Sequence, residues 1–300
     1  MTNAIDIHSV TRRFGRATAL DDVSFSIGEP SIVGLLGRNG AGKTSLLSII
    51  AGQDRATTGE VEVLGHSPFE HEATLAQITY VRDNQRYPDG YRMHHVLRIA
   101  PEFAPNWSSE LAEELAEGLR IPTRTPIKKF SRGQLSSVAI VLGLASRAPV
   151  TLLDEPYLGL DVTARSLFYD VLLRDFAEHP RAVVLSTHLI EESEGLFDRI
   201  LLLEQGRIVV DNESDQTRAL AFQFSGVADA VDRVLDGLTP LRMQSIGGLK
   251  SATVSGPLSE DTKGTAEQLG VRVTPATLKE VVAAYGANET APITSKERHS

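Results

Sequence analysis

Val, Ile and Phe alternate with polar residues over residues 4–10 and 19–27, and again around 60–64, which predicts half-buried antiparallel strands. Residues 31–36, SIVGLL, break that alternation: they are almost wholly apolar, the pattern of a strand covered on both faces. TSLLSIIAG follows as a helical run that Gly52 should close. Residues 150–153 and 182–186 read as two more buried strands, each after a helical stretch, the alternation of a parallel α/β sheet. Between 91 and 148 the chain reads as mainly helical, with apolar positions 111, 112, 115, 116 and 119 on one helix and Pro101, Pro105, Pro122 and Pro126 dividing the region. Beyond residue 211, AFQFSG, VADAVDRVLDG, LRMQSIGGLKSATVSG, TAEQLG, VRVTP and TLKEVVAAYG predict the order β-α-β-β-α-β-α. The polar segment 287–300 is expected to be a disordered tail.

Composition narrows the function classes. A chain of 300 residues suffices for one main domain and a smaller one. A net charge of −9 gives no broadly basic surface, and no nucleic-acid partner is expected. With 0 cysteines there are no disulfides and no cysteine-bound zinc, which suits a cytoplasmic protein. The N-terminus lacks the charged start and apolar stretch of a signal peptide. The longest apolar run, 138–145, falls far short of the roughly 18–20 residues that span a bilayer, so a soluble protein is expected.

Candidate chemistry begins at GRNGAGKT, residues 37–44, set between a predicted strand and a predicted helix. Its glycines, Gly37, Gly40 and Gly42, let the backbone N–H groups of the stretch from Arg38, Asn39 and Ala41 to Ser45 wrap a polyphosphate at a helix N-terminus. Lys43 should reach the β- and γ-phosphates, and Thr44 should offer its hydroxyl to Mg²⁺. In VTLLDEP, Asp154 ends an apolar strand, where a carboxylate can hold Mg²⁺. Glu155, on the other face by strand alternation, is a candidate to orient or deprotonate an attacking water; the bland alternative is a solvated acidic turn. His188 follows another buried strand, where a histidine also serves as a cap. Ser131-Arg132-Gly133-Gln134 opens a second helix with a hydroxyl and free N–H groups, a second anion site or an ordinary capped helix.

The order Phe14-Gly15, GRNGAGKT, FSRGQ, LLDEP, LGLD (158–161) and STH (186–188) resembles the ATP-binding subunits of ABC transporters over roughly residues 4–210. The resemblance implies an α/β fold: a P-loop NTPase of ABC type with a parallel-sheet ATP-binding core, an antiparallel β-layer and a helical subdomain, here with a small C-terminal α/β appendage. The implied boundaries are 1–212 for the cassette, with its helical subdomain at about 84–148, then 213–286 for the appendage and 287–300 for the tail. FSRGQ resembles the ABC signature, which implies that Ser131, Gly133 and Gln134, together with Asp161, act in trans on ATP held by a partner's P-loop. Arg132 stands where the family more often has Gly. Phe14 aligns with the aromatic that stacks on adenine; alternatively it is a core residue of the β-layer. His188 matches the histidine that contacts the γ-phosphate. The family's coupling glutamine, a Mg²⁺ neighbour, falls by count on Asp83, with Gln85 two residues late; a solvated loop is the other reading.

The function so implied is ATP hydrolysis with Mg²⁺, by a subunit that dimerises on ATP with a second copy of itself or a paralogous ATPase subunit. It would power a separate multi-spanning membrane permease from the cytoplasmic face of the membrane. Export is expected from the C-terminal appendage. The rival expectations are a soluble ABC ATPase of nucleic-acid or ribosome metabolism and a non-hydrolysing regulatory module.

Overall fold

The computed structural model describes residues 2–82 and 85–285. In chain order the first strands are β1 (Ile5–Phe14), β2 (Ala17–Ile27), β3 (Ser31–Leu36), β4 (Thr58–Val63), β5 (Ile78–Arg82), β6 (Val150–Asp154) and β7 (Ala182–Thr187). They are followed by β8 (Arg199–Glu204), β9 (Arg207–Glu213), β10 (Ala221–Val227), β11 (Pro240–Ile246), β12 (Leu249–Ser255) and β13 (Arg272–Pro275). The alternating runs pair as an antiparallel sheet in the order β2-β1-β4. β1 continues past the predicted end at residue 10, because backbone pairing with β2 persists through Arg13↔Thr18 and Phe14↔Ala17 where hydrophobic alternation has stopped.

The apolar runs build the second sheet, in the order β5-β6-β7-β3-β8-β9, parallel except for the β8–β9 pair. β3, β6 and β7 lie in its middle and are buried along almost their whole length, as continuous hydrophobicity requires. In β3, Ile32, Val33, Leu35 and Leu36 are all within 1% of full burial, each contributing roughly 1.5–3 kcal/mol of hydrophobic stabilisation. The parallel strands bring three chain segments to one edge: the loop after β3, Asp154 at the end of β6, and residues 187–188 at the end of β7. Crevices beyond the carboxyl ends of parallel strands are where α/β sheets bind ligands.

The helix Ser109–Gly118 starts at Ser108, whose hydroxyl accepts from Leu111 N at 3.2 Å. It buries Leu111, Ala112 and Leu115 against the helix Arg132–Ala145. That second helix is apolar nearly all round and runs beneath the parallel sheet's β5 and β6. After β9 comes a short helix, Ser214–Arg218, that the sequence reading lacked; from β10 onward the order is β-α-β-β-α-β-α, as the sequence predicts, giving an antiparallel sheet β11-β12-β10-β13. Phe224, Val231, Ala252, Val254 and Ala266 form its own core. Its last helix, Leu278–Tyr285, instead packs into the main core with Ala221 and Ala276, and Lys279 pairs with Glu191 at 2.8 Å. Among the described residues no helix is long and apolar enough to cross a membrane.

Candidate functional site

The loop 37–42 has a shape that only glycine allows at two points. Gly37 has φ 149° and Gly42 φ 112°, and an added Cβ would sit 2.2 Å from Leu203 O and 2.5 Å from Ala19 O respectively. The backbone therefore lies close against β8 and β2, with its N–H groups at the mouth of the helix Lys43–Ile50. Lys43 is 6% exposed and folds back over the loop, donating from Nζ to Gly37 O at 2.8 Å and Arg38 O at 3.2 Å. Its ammonium is 3.7 Å from Glu155 Oε1. The Thr44 hydroxyl donates to Asp154 Oδ2 at 2.7 Å, and Ser186 Oγ donates to Asp154 Oδ1 at 2.5 Å. Asn39, Lys43, Thr44, Arg82, Asp154 and Glu155 line one open cleft of about 620 Å³. A groove of about 690 Å³ at the other end of the strands is larger, but its cations Arg147 and Arg181 are already held by Asp175.

Glu155 corrects the expectation from strand alternation. β6 ends at Asp154, and Glu155 turns into the left-handed region with φ 48°, pinned by its N–H donating to Ser186 Oγ at 3.0 Å. That turn carries its carboxylate back into the cleft beside Asp154 rather than to the far face. There Oε2 lies 3.2 Å from His188 Nδ1, so Glu155 stands between Lys43 and His188, within contact distance of both. A left-handed non-glycine residue stores of order 1 kcal/mol of strain, the kind of cost found where function sets the backbone. The bland reading of Asp-Glu-Pro as a solvated turn is set aside, since Asp154 is 6% exposed.

The signature segment is not part of this cleft's lining. Ser131 caps its helix reciprocally with Gln134: Gln134 N donates to Ser131 Oγ at 3.3 Å and Ser131 N to Gln134 Oε1 at 3.0 Å. Gly133 lies against the Leu158–Asp161 turn, where an added Cβ would be 2.2 Å from Gly159 O. The capped-helix reading thus accounts for Gly133 and Gln134 as well as Ser131. Asp161 likewise caps the helix Val162–Glu178, accepting from Ala164 N at 2.8 Å. Phe14 is 50% exposed with the Arg12 guanidinium 4.3 Å from its ring centre, which rules out the core alternative and leaves a face open to stacking. Asp83 lies outside the described residues. Gln85 borders a small cavity shared with Arg82 and Glu155.

Two neighbours of the site escaped the sequence reading. Arg82, the last residue of β5, pairs in register with Asp154 of β6, a juxtaposition set by strand pairing rather than by any local motif. Tyr157, 1% exposed, carries a hydroxyl that meets Thr187 and His188, and no local pattern signals that.

The family model described as ABC transporter matches residues 20–158. An uncharacterized ABC transporter ATP-binding protein of Methanocaldococcus jannaschii is 33% identical over 214 residues, covering 70% of this chain and 77% of that protein. The chain belongs to the ATP-binding proteins of ABC transporters. An aliphatic sulfonates import ATP-binding protein of Burkholderia lata is 32% identical over 78% of this chain and 71% of its own length. Among solved structures, an ATP-binding subunit of an ABC transporter superposes with a TM-score of 0.64 at 24% identity, over 72% of this chain and 92% of that one. A cassette solved as a dimer in a post-hydrolysis state with ADP and Pi gives 0.61 at 23% identity, over 70% and 98%. The fold is that of the ABC-type P-loop ATPase, and the chain is an ATP-binding ATPase of that family.

The residues present suit a magnesium nucleotide. Thr44 and Asp154 supply hard oxygens only, and among the described residues no cluster of three or more His, Cys, Asp or Glu side chains forms a self-sufficient metal cage. Mg²⁺ is held in this way, by one or two protein oxygens with phosphates completing its shell.

Proposed function

We propose that this chain hydrolyses MgATP as one of two ATPase subunits, a second copy or a paralogue, that drive a separate multi-spanning permease from the inner face of the membrane. The observation that carries the reading is the convergence of Lys43, Thr44, Asp154 and Glu155 at one cleft, with His188 against Glu155, while a second glycine-bearing helix mouth stands apart from it. Bound Mg²⁺ would neutralise charge on the β- and γ-phosphates. Lys43, now spent on two loop carbonyls, exchanges them for phosphate oxygens. Thr44 and Asp154 hold the metal, and Glu155 accepts a proton from, or orients, the attacking water. His188 reaches the γ-phosphate, and Phe14 offers its exposed ring to the adenine. Ser131 and Gly133, with Gln134 and Asp161 beside them, serve the partner's nucleotide across the dimer. The dimeric post-hydrolysis cassette among the structural neighbours supports that pairing. Asp83 remains our candidate for the metal's vicinity.

We read residues 1–212 as the cassette, with the helical subdomain at about 84–148, and 213–286 as the appendage. One similar protein is named for import, so transport is proposed without the outward direction that the appendage suggested. The test is Glu155→Gln. ATP binding should persist while turnover falls roughly 10²–10⁴-fold, the usual weight of a positioned acid–base group. ATP should also then hold a dimer on size exclusion. Turnover within twofold of the unaltered protein would refute the assignment.

A further inference from the structure

Tyr157 lies directly after Asp-Glu-Pro, and its side chain crosses to the end of β7. Its phenol oxygen accepts from Thr187 Oγ1 at 2.8 Å and from the His188 backbone N–H at 3.0 Å. Thr187 Oγ1 is itself an acceptor for Leu189 N at 2.9 Å, which leaves its proton for Tyr157. Both acceptor positions of the phenol are then filled, and its own O–H needs an acceptor elsewhere. His188 Nδ1, 3.4 Å away, is the hydrogen-bond partner within reach. Glu155 Oε2 is 3.2 Å from the same nitrogen as an ion-pair contact. One ring nitrogen cannot accept from Tyr157 and donate to Glu155 at once. Burial pushes the Tyr157 phenol up to about 12, against the donors from Thr187 and His188, so it keeps its proton near neutrality.

We propose that Tyr157 is a positioning residue for hydrolysis: its O–H donates to His188 Nδ1, placing the neutral ring's proton on Nε2 and freeing Glu155 to face the water. This rests on the roles given above to Glu155 and His188. Without the phenol, Nδ1 carries the proton and ties up Glu155. With it, Nε2–H is presented outward as a donor, and the His188 backbone is held by the same oxygen. The buried phenol thus sets both the position and the tautomer of a side chain that is itself 41% exposed.

The test reads the tautomer directly, in nucleotide-free protein labelled with ¹⁵N-histidine, with the His188 signals identified by their loss in His188→Gln. In Glu155→Ala the competitor is removed, and Nε2–H should predominate about fivefold, the ratio that one ordinary hydrogen bond supports. Adding Tyr157→Phe should bring the two tautomers close to parity. Adding Thr187→Val instead, which loosens the same phenol without removing its proton, should leave Nε2–H dominant, as a merely structural role would not. With Glu155 intact, Tyr157→Phe should lower kcat about fivefold and leave KM for ATP unchanged. An unaltered tautomer ratio without the phenol would overturn the proposal, and so would an unaltered kcat. Full turnover in Glu155→Gln would instead defeat the reading of the site while leaving the tautomer result to stand by itself.

Discussion

Gly133 sits at the mouth of the signature helix, and replacing it by alanine separates two reasons for its presence. If the glycine serves only a ligand of a partner subunit, Gly133→Ala should not harm the free chain. Alanine would even gain about 0.5–1 kcal/mol of helix propensity. The structure requires the opposite. The new Cβ would lie 2.2 Å from Gly159 O and 3.0 Å from Gly159 C, about 1 Å inside ordinary contact. The turn cannot easily yield, because Ser136 Oγ donates to Leu158 O at 2.6 Å and Leu160 N to Tyr157 O at 3.0 Å. Overpacking of this kind costs about 1–3 kcal/mol, which exceeds the propensity gain. A net loss of roughly 1–2 kcal/mol should lower the Tm of nucleotide-free protein by about 2–8 °C. Differential scanning calorimetry on the nucleotide-free chain measures it. A Tm equal to or above that of the parent protein would show that the helix and turn are not tightly packed, and that the glycine is held for binding alone.

Asp175 is 2% exposed and receives Arg147 Nε at 2.9 Å, with Arg181 Nη2 2.9 Å from its other oxygen. Asp175→Ala should cost about 3–5 kcal/mol, measurable by urea unfolding, because Arg181 stays buried without its counter-charge; a loss under about 1 kcal/mol would contradict this. Burial pushes the Tyr80 and Tyr157 phenols up to about 12. Unfolded tyrosine titrates near 10, so the folded chain binds more protons between about pH 10 and 12, and stability falls as pH rises through that window. The loss should reach at most about 2–3 kcal/mol for each phenol. Stability that stays flat from about pH 9.5 to 11.5 would count against both burials.

What could be read in advance follows from how far apart in the chain each cause lies. The loop 37–44 was legible because strand, glycines, lysine and helix are contiguous. The element order from β10 onward was legible for the same reason, from turn residues and local periodicity. Glu155 was misplaced because alternation holds only while the strand lasts. β6 stops at Asp154, beside Ser186 on β7, whose hydroxyl donates to the Asp154 carboxylate and accepts the Glu155 N–H. The demand that the fold itself makes on Gly133 was not legible, because it comes from the carbonyl of Gly159, on a separate turn. Tyr157 carried no motif, since the groups that use its hydroxyl, Thr187 and His188, are joined to it only by the pairing of β6 with β7. The residues that should touch the nucleotide were therefore visible in the sequence, while those that aim them became visible only once the strands were side by side. For that reason a signature residue such as Gly133 answers to two constraints at once, its own fold and a neighbour's ligand, and only a measurement on the free chain can assign the cost of changing it to one of them.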